Sequence, residues 1–154
     1  MSRAPASWVL ERAEVDFIMV ADRAEGINGK LYMMGGGWDR LSLIDFAHEV
    51  EVSLAIGLLI PWNDTNEQHS FTLVLESDDG GNIATIGPVA FQSGRPANAI
   101  PGQSFRSILA IQAPFRFAKP GAYRFAVALD NGNSRHVVIY AQQANILQPK
   151  PPGI

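Results

Sequence analysis

From Glu49 to Ile60 the chain alternates with a period of two: Val50, Val52, Leu54, Ile56, Leu58 and Ile60 fall on one side, Glu49, Glu51, Ser53, Ala55 and Gly57 on the other. Successive side chains of a strand point to opposite faces, whereas a helix repeats about every 3.6 residues, so this stretch is predicted to be a strand with one dry face. The same grammar recurs along the chain. After a PWNDTNEQ loop, Phe71, Leu73 and Leu75 alternate with Ser70, Thr72 and Glu76; later Phe105, Ser107, Leu109, Ile111 and Ala113 alternate with Arg106, Ala110 and Gln112. Tyr123, Phe125, Val127 and Leu129 then oppose Arg124, Ala126, Ala128 and Asp130.

Between these runs stand turn signals. Asp78-Asp79-Gly80-Gly81-Asn82 and Asn131-Gly132-Asn133 supply the positive φ angles of tight hairpins, and Glu25 to Gly29 separates a further pair, Val15 to Arg23 and Lys30 to Met34. About eight short strands with frequent turns predict an all-β fold, an antiparallel β-sandwich of immunoglobulin-like or fibronectin-like style whose outer faces stay in water. Two helical stretches are expected as minor features: Ala6 to Glu14, where Ser7 could cap a turn, and Ser42 to His48. No internal linker divides the chain, which reads as an N-terminal arm or short helix over 1–13, a single domain over 14–145 and a Pro-rich tail over 146–154.

Composition supports a self-sufficient core. Of 154 residues 47% are hydrophobic, and a chain of this size buries about 68–70% of its unfolded surface. It has no cysteine, which removes thiolate metal ligands, cysteine nucleophiles and dithiol redox chemistry. A net charge of −3 argues against nucleic acid as a partner. That charge is unevenly divided, −8 over residues 1–100 and +5 over 101–154. Two readings follow: compensation between interleaved strands, or complementary patches that steer self-association or attract an acidic partner. The opening MSRAPASWVLERAEVDF breaks its apolar run with Glu11, Arg12 and Glu14, so no secretory signal is expected. No run approaches the ~20 residues of a membrane helix, and the expected location is the cytoplasm, away from membranes.

Two blocks are distinctive: Gly29-Lys30-Leu31-Tyr32-Met33-Met34-Gly35-Gly36-Gly37-Trp38-Asp39, and Pro61-Trp62-Asn63-Asp64-Thr65-Asn66 with His69 after it. With the later Gly87-Pro88 and Ser93-Gly94-Arg95-Pro96, they resemble a family of small uncharacterised bacterial proteins. The resemblance implies a compact β-sandwich of bacterial origin in which the glycines, Trp38 and Trp62 matter to the fold or its surface. It implies no activity.

Residue chemistry offers several candidate sites, each with a plainer structural alternative. Gly35-Gly36-Gly37 could cradle an anion with backbone amides, but no helix and no lysine follow, and a bulge or strand crossing suits glycine equally. Trp62 to Glu67 gathers carboxylate and amide oxygens that suit calcium, without EF-hand spacing; a side-chain-bonded hairpin loop is the alternative. Asp78 and Asp79 could add oxygens or simply turn the chain. His48, His69 and His136 lack the spacing of a helical zinc pair. No Gly-x-Ser-x-Gly elbow occurs. Between Phe105 and Tyr140, arginines interleave with aromatics as in single-strand binders, although alternation sends the two kinds to opposite faces. Trp8, Trp38 and Trp62 could form a platform for sugar rings or fill the core. Gln148 to Pro152 favours polyproline II.

The expected function is a non-enzymatic protein–protein interaction or assembly module of a bacterial or phage-like protein, with a protein partner or a second copy as its target. Catalytic residues, metals and cofactors are expected to be none. The alternative is a small-ligand or carbohydrate-binding sandwich using Trp38, Asp39, Trp62, Asn63, Asp64 and Asn66.

Overall fold

A computed structural model describes residues 9–145, so the readings of Trp8 and of the 146–154 segment lie outside the described residues. Among these described residues nine strands form in chain order: β1 (Glu14–Ile27), β2 (Lys30–Gly36), β3 (Arg40–Leu43), β4 (Val50–Ile60), β5 (Gln68–Ser77), β6 (Asn82–Gln92), β7 (Phe105–Phe115), β8 (Gly121–Leu129) and β9 (Ser134–Gln143). They make two sheets, β2-β1-β4-β7 and β3-β9-β8-β5-β6, facing each other as a sandwich. An immunoglobulin domain orders its sheets A-B-E-D and C-F-G, so the likeness to that style stops at two facing sheets.

The predicted alternation selects the core. Val52, Leu54, Ile56, Leu58 and Ile60 of β4 meet Phe71, Leu73 and Leu75 of β5 and Phe125, Val127 and Leu129 of β8, all buried in one cluster. Phe115 meets Phe125 edge-on with ring centroids 5.0 Å apart, and Phe117 meets Tyr123 the same way at 5.0 Å. Asn131-Gly132-Asn133 closes the β8–β9 hairpin with Gly132 at φ 88°, and Leu129 N–H bonds to the Asn133 carbonyl at 2.8 Å.

Three expectations are corrected. The Ala6 to Glu14 helix does not form over its described part, residues 9–14, because side-chain amides capture the main chain in extended form. Asn131 Nδ2 donates to the Ala13 carbonyl at 2.8 Å, Val15 N–H donates to Asn133 Oδ1 at 2.8 Å, and Glu14 already opens β1. The Ser42 to His48 helix is also absent. Leu41 and Leu43 turn into the core on β3, while Asp45 Oδ1 accepts the Ala47 N–H at 3.0 Å, a local turn bond that competes with helix. β3 is therefore a ninth strand, and it lies parallel to β9, so the sandwich is not wholly antiparallel.

The third correction concerns the outer face of the four-stranded sheet, which is covered rather than wet. β1 changes partner along its length: Glu14 to Ala21 pairs with β4, and Ala21 to Ile27 pairs with β2. The β1–β2 hairpin lies over the sheet, so Ala21, Ala24 and Ala55 are buried with Phe17, Met19, Leu31, Met33 and Ala110 around them. This second cluster tolerates only small side chains at the crossing. A Cβ on Gly26 would stand 3.0 Å from the Ile108 carbonyl oxygen, which is fixed backbone.

Two stability outcomes separate the clusters. Phe125→Ala in the main core should cost about 3–5 kcal/mol in urea unfolding. Gly26→Val should lift the hairpin locally, read as faster amide exchange at Leu31 and Met33 with the β5 and β8 amides still protected.

Candidate functional site

The 61–66 loop is built by its own polar groups. Trp62–Asp64 makes one 3-10 turn, with Asp64 N–H on the Pro61 carbonyl at 3.0 Å. Thr65 donates its hydroxyl to the Trp62 carbonyl at 2.6 Å. Asp64 Oδ2 accepts the Ala13 N–H at 3.2 Å. His69, buried against Phe91 at 5.4 Å between ring centroids, donates from Nε2 to the Asp64 carbonyl at 2.7 Å. Asn66 adopts φ 60° and sends its N–H to the Ser93 carbonyl at 2.7 Å.

Arg95 locks this loop from the β6–β7 connection. Its guanidinium carbon sits 3.9 Å from the centroid of the Trp62 ring, its Nη2 donates to the Trp62 carbonyl at 2.6 Å, and its Nε donates to the Thr65 hydroxyl. Phe105 packs on the same indole at 6.2 Å. The candidate sugar platform is thus already engaged by an arginine and a phenylalanine, and Asp64 ties the loop to the chain ahead of β1. Among the described residues no three His, Cys, Asp or Glu side chains are grouped to hold a metal ion.

Trp38 and Asp39 stand elsewhere. The Asp39 carbonyl accepts the Tyr140 N–H at 2.8 Å, near the far end of β9 from Asn133, which bonds beside the 61–66 loop. Strand rise puts Tyr140 about 20 Å from Ser134, so Trp38 and Asp39 do not share a site with Trp62, Asn63, Asp64 and Asn66. The Trp38 indole packs on the core, with its N–H buried and unpartnered among the described residues. The glycines before it make a strand crossing: Gly35 and Gly37 have φ 59° and 81°, and Gly37 N–H bonds to the Val20 carbonyl at 2.8 Å.

Other candidates dissolve similarly. Phe115, Phe117, Tyr123 and Phe125 are buried, leaving no ring among them for a base to stack on. His48 is exposed beside Asp45 at 2.8 Å, His69 is buried and His136 is exposed on β9. Asp79 is a turn carboxylate. The Ser77 hydroxyl and the Gly81 N–H hold its pKa below the ordinary range. The charge imbalance is partly compensated within the molecule, since Arg106 pairs with Asp16, Arg124 with Glu76 and Lys119 with Asp79. Each pair joins a base of the second part of the chain to an acid of the first. A depression of ≈ 270 Å³ beside Ala122 and Val138 has the Arg124–Glu76 pair and Asp78 in its wall.

What sequence reasoning missed is the exposed side of the β1–β2 hairpin. Register places Arg23 opposite Met34, Glu25 opposite Tyr32 and Ile27 opposite Lys30, so these six side chains share one face while Ala24, Gly26, Leu31 and Met33 take the other. On the outward face Met34 is 73% exposed, Tyr32 55% and Ile27 46%. Arg23, Ala24, Glu25, Tyr32, Met33 and Met34 line a groove of ≈ 340 Å³. The signal was available: Leu31 to Met34 is apolar at consecutive positions, so both faces of that strand are apolar.

Residues 16–142 match the family model DUF6941, a family of unknown function. The chain belongs to that family. No curated protein matches the sequence. The family model therefore spans every strand from β2 to β8 and most of β1 and β9, taking in both the Arg95 lock and the hairpin face.

Arg95→Ala should free the Trp62 ring and cost about 1 kcal/mol, the scale of an exposed cation–π contact with its hydrogen bonds. The expected readouts are a red shift of tryptophan emission and faster proteolysis between Pro61 and Gln68. Arg95→Lys, which keeps charge but not the fork of donors, should fall between the two.

Proposed function

We propose that this chain is a non-enzymatic protein–protein interaction or assembly module, acting in the bacterial cytoplasm or in a phage-like particle. The observation that carries this reading is the outward face of the β1–β2 hairpin. Tyr32, Met34 and Ile27 form an exposed apolar centre, and Arg23, Glu25 and Lys30 stand beside them on the same face. An apolar centre with a polar rim is the anatomy of a protein interface, and tyrosine and methionine are enriched there. A monomer has no folding reason to put such side chains outward on a hairpin whose inward face already anchors it.

The reading also draws on the engaged state of Trp62. A sugar seated on that ring would first have to displace Arg95 from 3.9 Å, giving up its two hydrogen bonds as well. The hairpin groove needs no such displacement.

The test is retention of cellular proteins on the immobilised chain, compared with Tyr32→Ser/Met34→Ser and with Trp62→Ala. Partners held by the wild type and by Trp62→Ala, but lost on the double variant, support the reading. Retention indifferent to the hairpin, or a glycan array whose signal Trp62→Ala abolishes, overturns it in favour of ligand binding.

A further inference from the structure

A sheet edge presents unpaired N–H and C=O groups, and folded proteins blunt such edges with short strands, proline, glycine kinks or charge. This sandwich has four edges: β2, β7, β3 and β6. β3 is only four residues long. β6 is interrupted by Gly87, at φ 112°, followed by Pro88, which has no N–H, and its register with β5 shifts there. β2 begins at Lys30 and kinks at Gly35 with φ 59°. β7 is different. It runs for 11 residues; its charge, Arg106, and its proline, Pro114, stand near its two ends, and Ser107 to Ala113 between them contains no proline, glycine or charged side chain.

Among the described residues, the backbone of β7 makes hydrogen bonds to β4 alone; no turn, loop or side chain caps its outward groups. Leu109 and Ile111 point to the core yet are only partly buried, whereas Ile56 and Leu54 opposite them on β4 are fully buried. The hairpin packs Gly26 against the Ile108 carbonyl, but the outward backbone groups of this edge have no hydrogen-bonding strand beside them and its core-facing side chains stay partly open.

We infer that β7 pairs antiparallel with β7 of a second copy, joining the two four-stranded sheets into one across a two-fold axis at Leu109. The occupant is a second copy because the edge is complementary to itself in that register. Arg106 falls opposite Gln112 of the other copy, and the Gln112 amide is bonded to Glu51 at 2.9 Å, so a cation meets a carboxylate-bearing end at both places. Ile108 falls opposite Ala110, and Ile111 opposite Ser107, large against small on each face. No like charges meet. A two-fold interface repeats every such contact twice. This goes beyond the hairpin reading, uses a different surface, and stands or falls separately from it.

The experiment is light scattering after size exclusion at about 100 µM protein, a concentration that reveals dimers of micromolar Kd. The wild type is expected at twice the chain mass of 16.7 kDa. Gln112→Arg, at an exposed position, sets arginine against Arg106 twice and should raise the dimer Kd by about tenfold or more. The exchange Arg106→Gln/Gln112→Arg restores the opposed pair and should recover the dimer. The chain has no cysteine, so Leu109→Cys should give a disulfide-linked dimer on mild oxidation, while Thr72→Cys on the other sheet should not. A monomeric wild type overturns the inference. So does a dimer that Gln112→Arg leaves intact and Leu109→Cys fails to cross-link, which would place self-association on another surface and leave the hairpin proposal untouched.

Discussion

β4 is dry on both faces, and the rest of the molecule is arranged to keep it so. One side carries Val52, Leu54, Ile56, Leu58 and Ile60 into the sandwich; the other carries Ser53, Ala55 and Gly57, all buried, with the Phe17 and Met19 side chains of the neighbouring β1 and the β1–β2 hairpin covering this face. A strand covered on both faces must be thin on one of them if a third layer is to sit at contact distance. Gly57 supplies that thinness directly, because a Cβ there would stand 2.2 Å from the Phe17 ring. Gly26 does the same from the hairpin side against the backbone of β7. The small residues on this face are therefore the footing of a second apolar cluster rather than a solvated surface.

That arrangement explains which parts of the fold were legible. Alternation located β4, β5, β7 and β8 and the side each turns to the core, because period two is a property of the single strand and needs no knowledge of its neighbours. It could not report that the second face of β4 is covered, since alanine and glycine read equally as solvent-facing and as close-packed. Nor could it separate β3 from a helix: Arg40 to Leu43 is too short for periodicity to decide, and the parallel partner that makes it a strand, β9, lies about a hundred residues away.

The residues of the candidate site fall in two places for a related reason. Trp38 and Trp62 were grouped by kind, and only the topology separates them by the length of β9. Within the 61–66 loop Thr65 bonds locally to the Trp62 carbonyl, which local pattern does foresee, whereas Asp64 bonds to the Ala13 N–H, 51 residues away in sequence. The decisive partner, Arg95, is 33 residues on from Trp62. It was visible in the sequence only as one of the blocks that carried the family resemblance, with nothing to connect it to an indole.

Charge separates the two surfaces assigned here from the one that sequence asymmetry suggested. Arg106, Arg124 and Lys119 are each paired with an acid of the other part of the chain, and exposed pairs of this kind contribute little to stability. Recognition as proposed at the hairpin and at β7 rests mainly on apolar side chains and on backbone hydrogen bonds, both short-ranged and weakly sensitive to salt. An interface of that type selects its partner by shape and register, with charge acting only locally, as where Arg106 would face Gln112 across the proposed β7 pairing. The distinctive sequence of the β2 strand and the uninterrupted run of β7 are where such selection would be written.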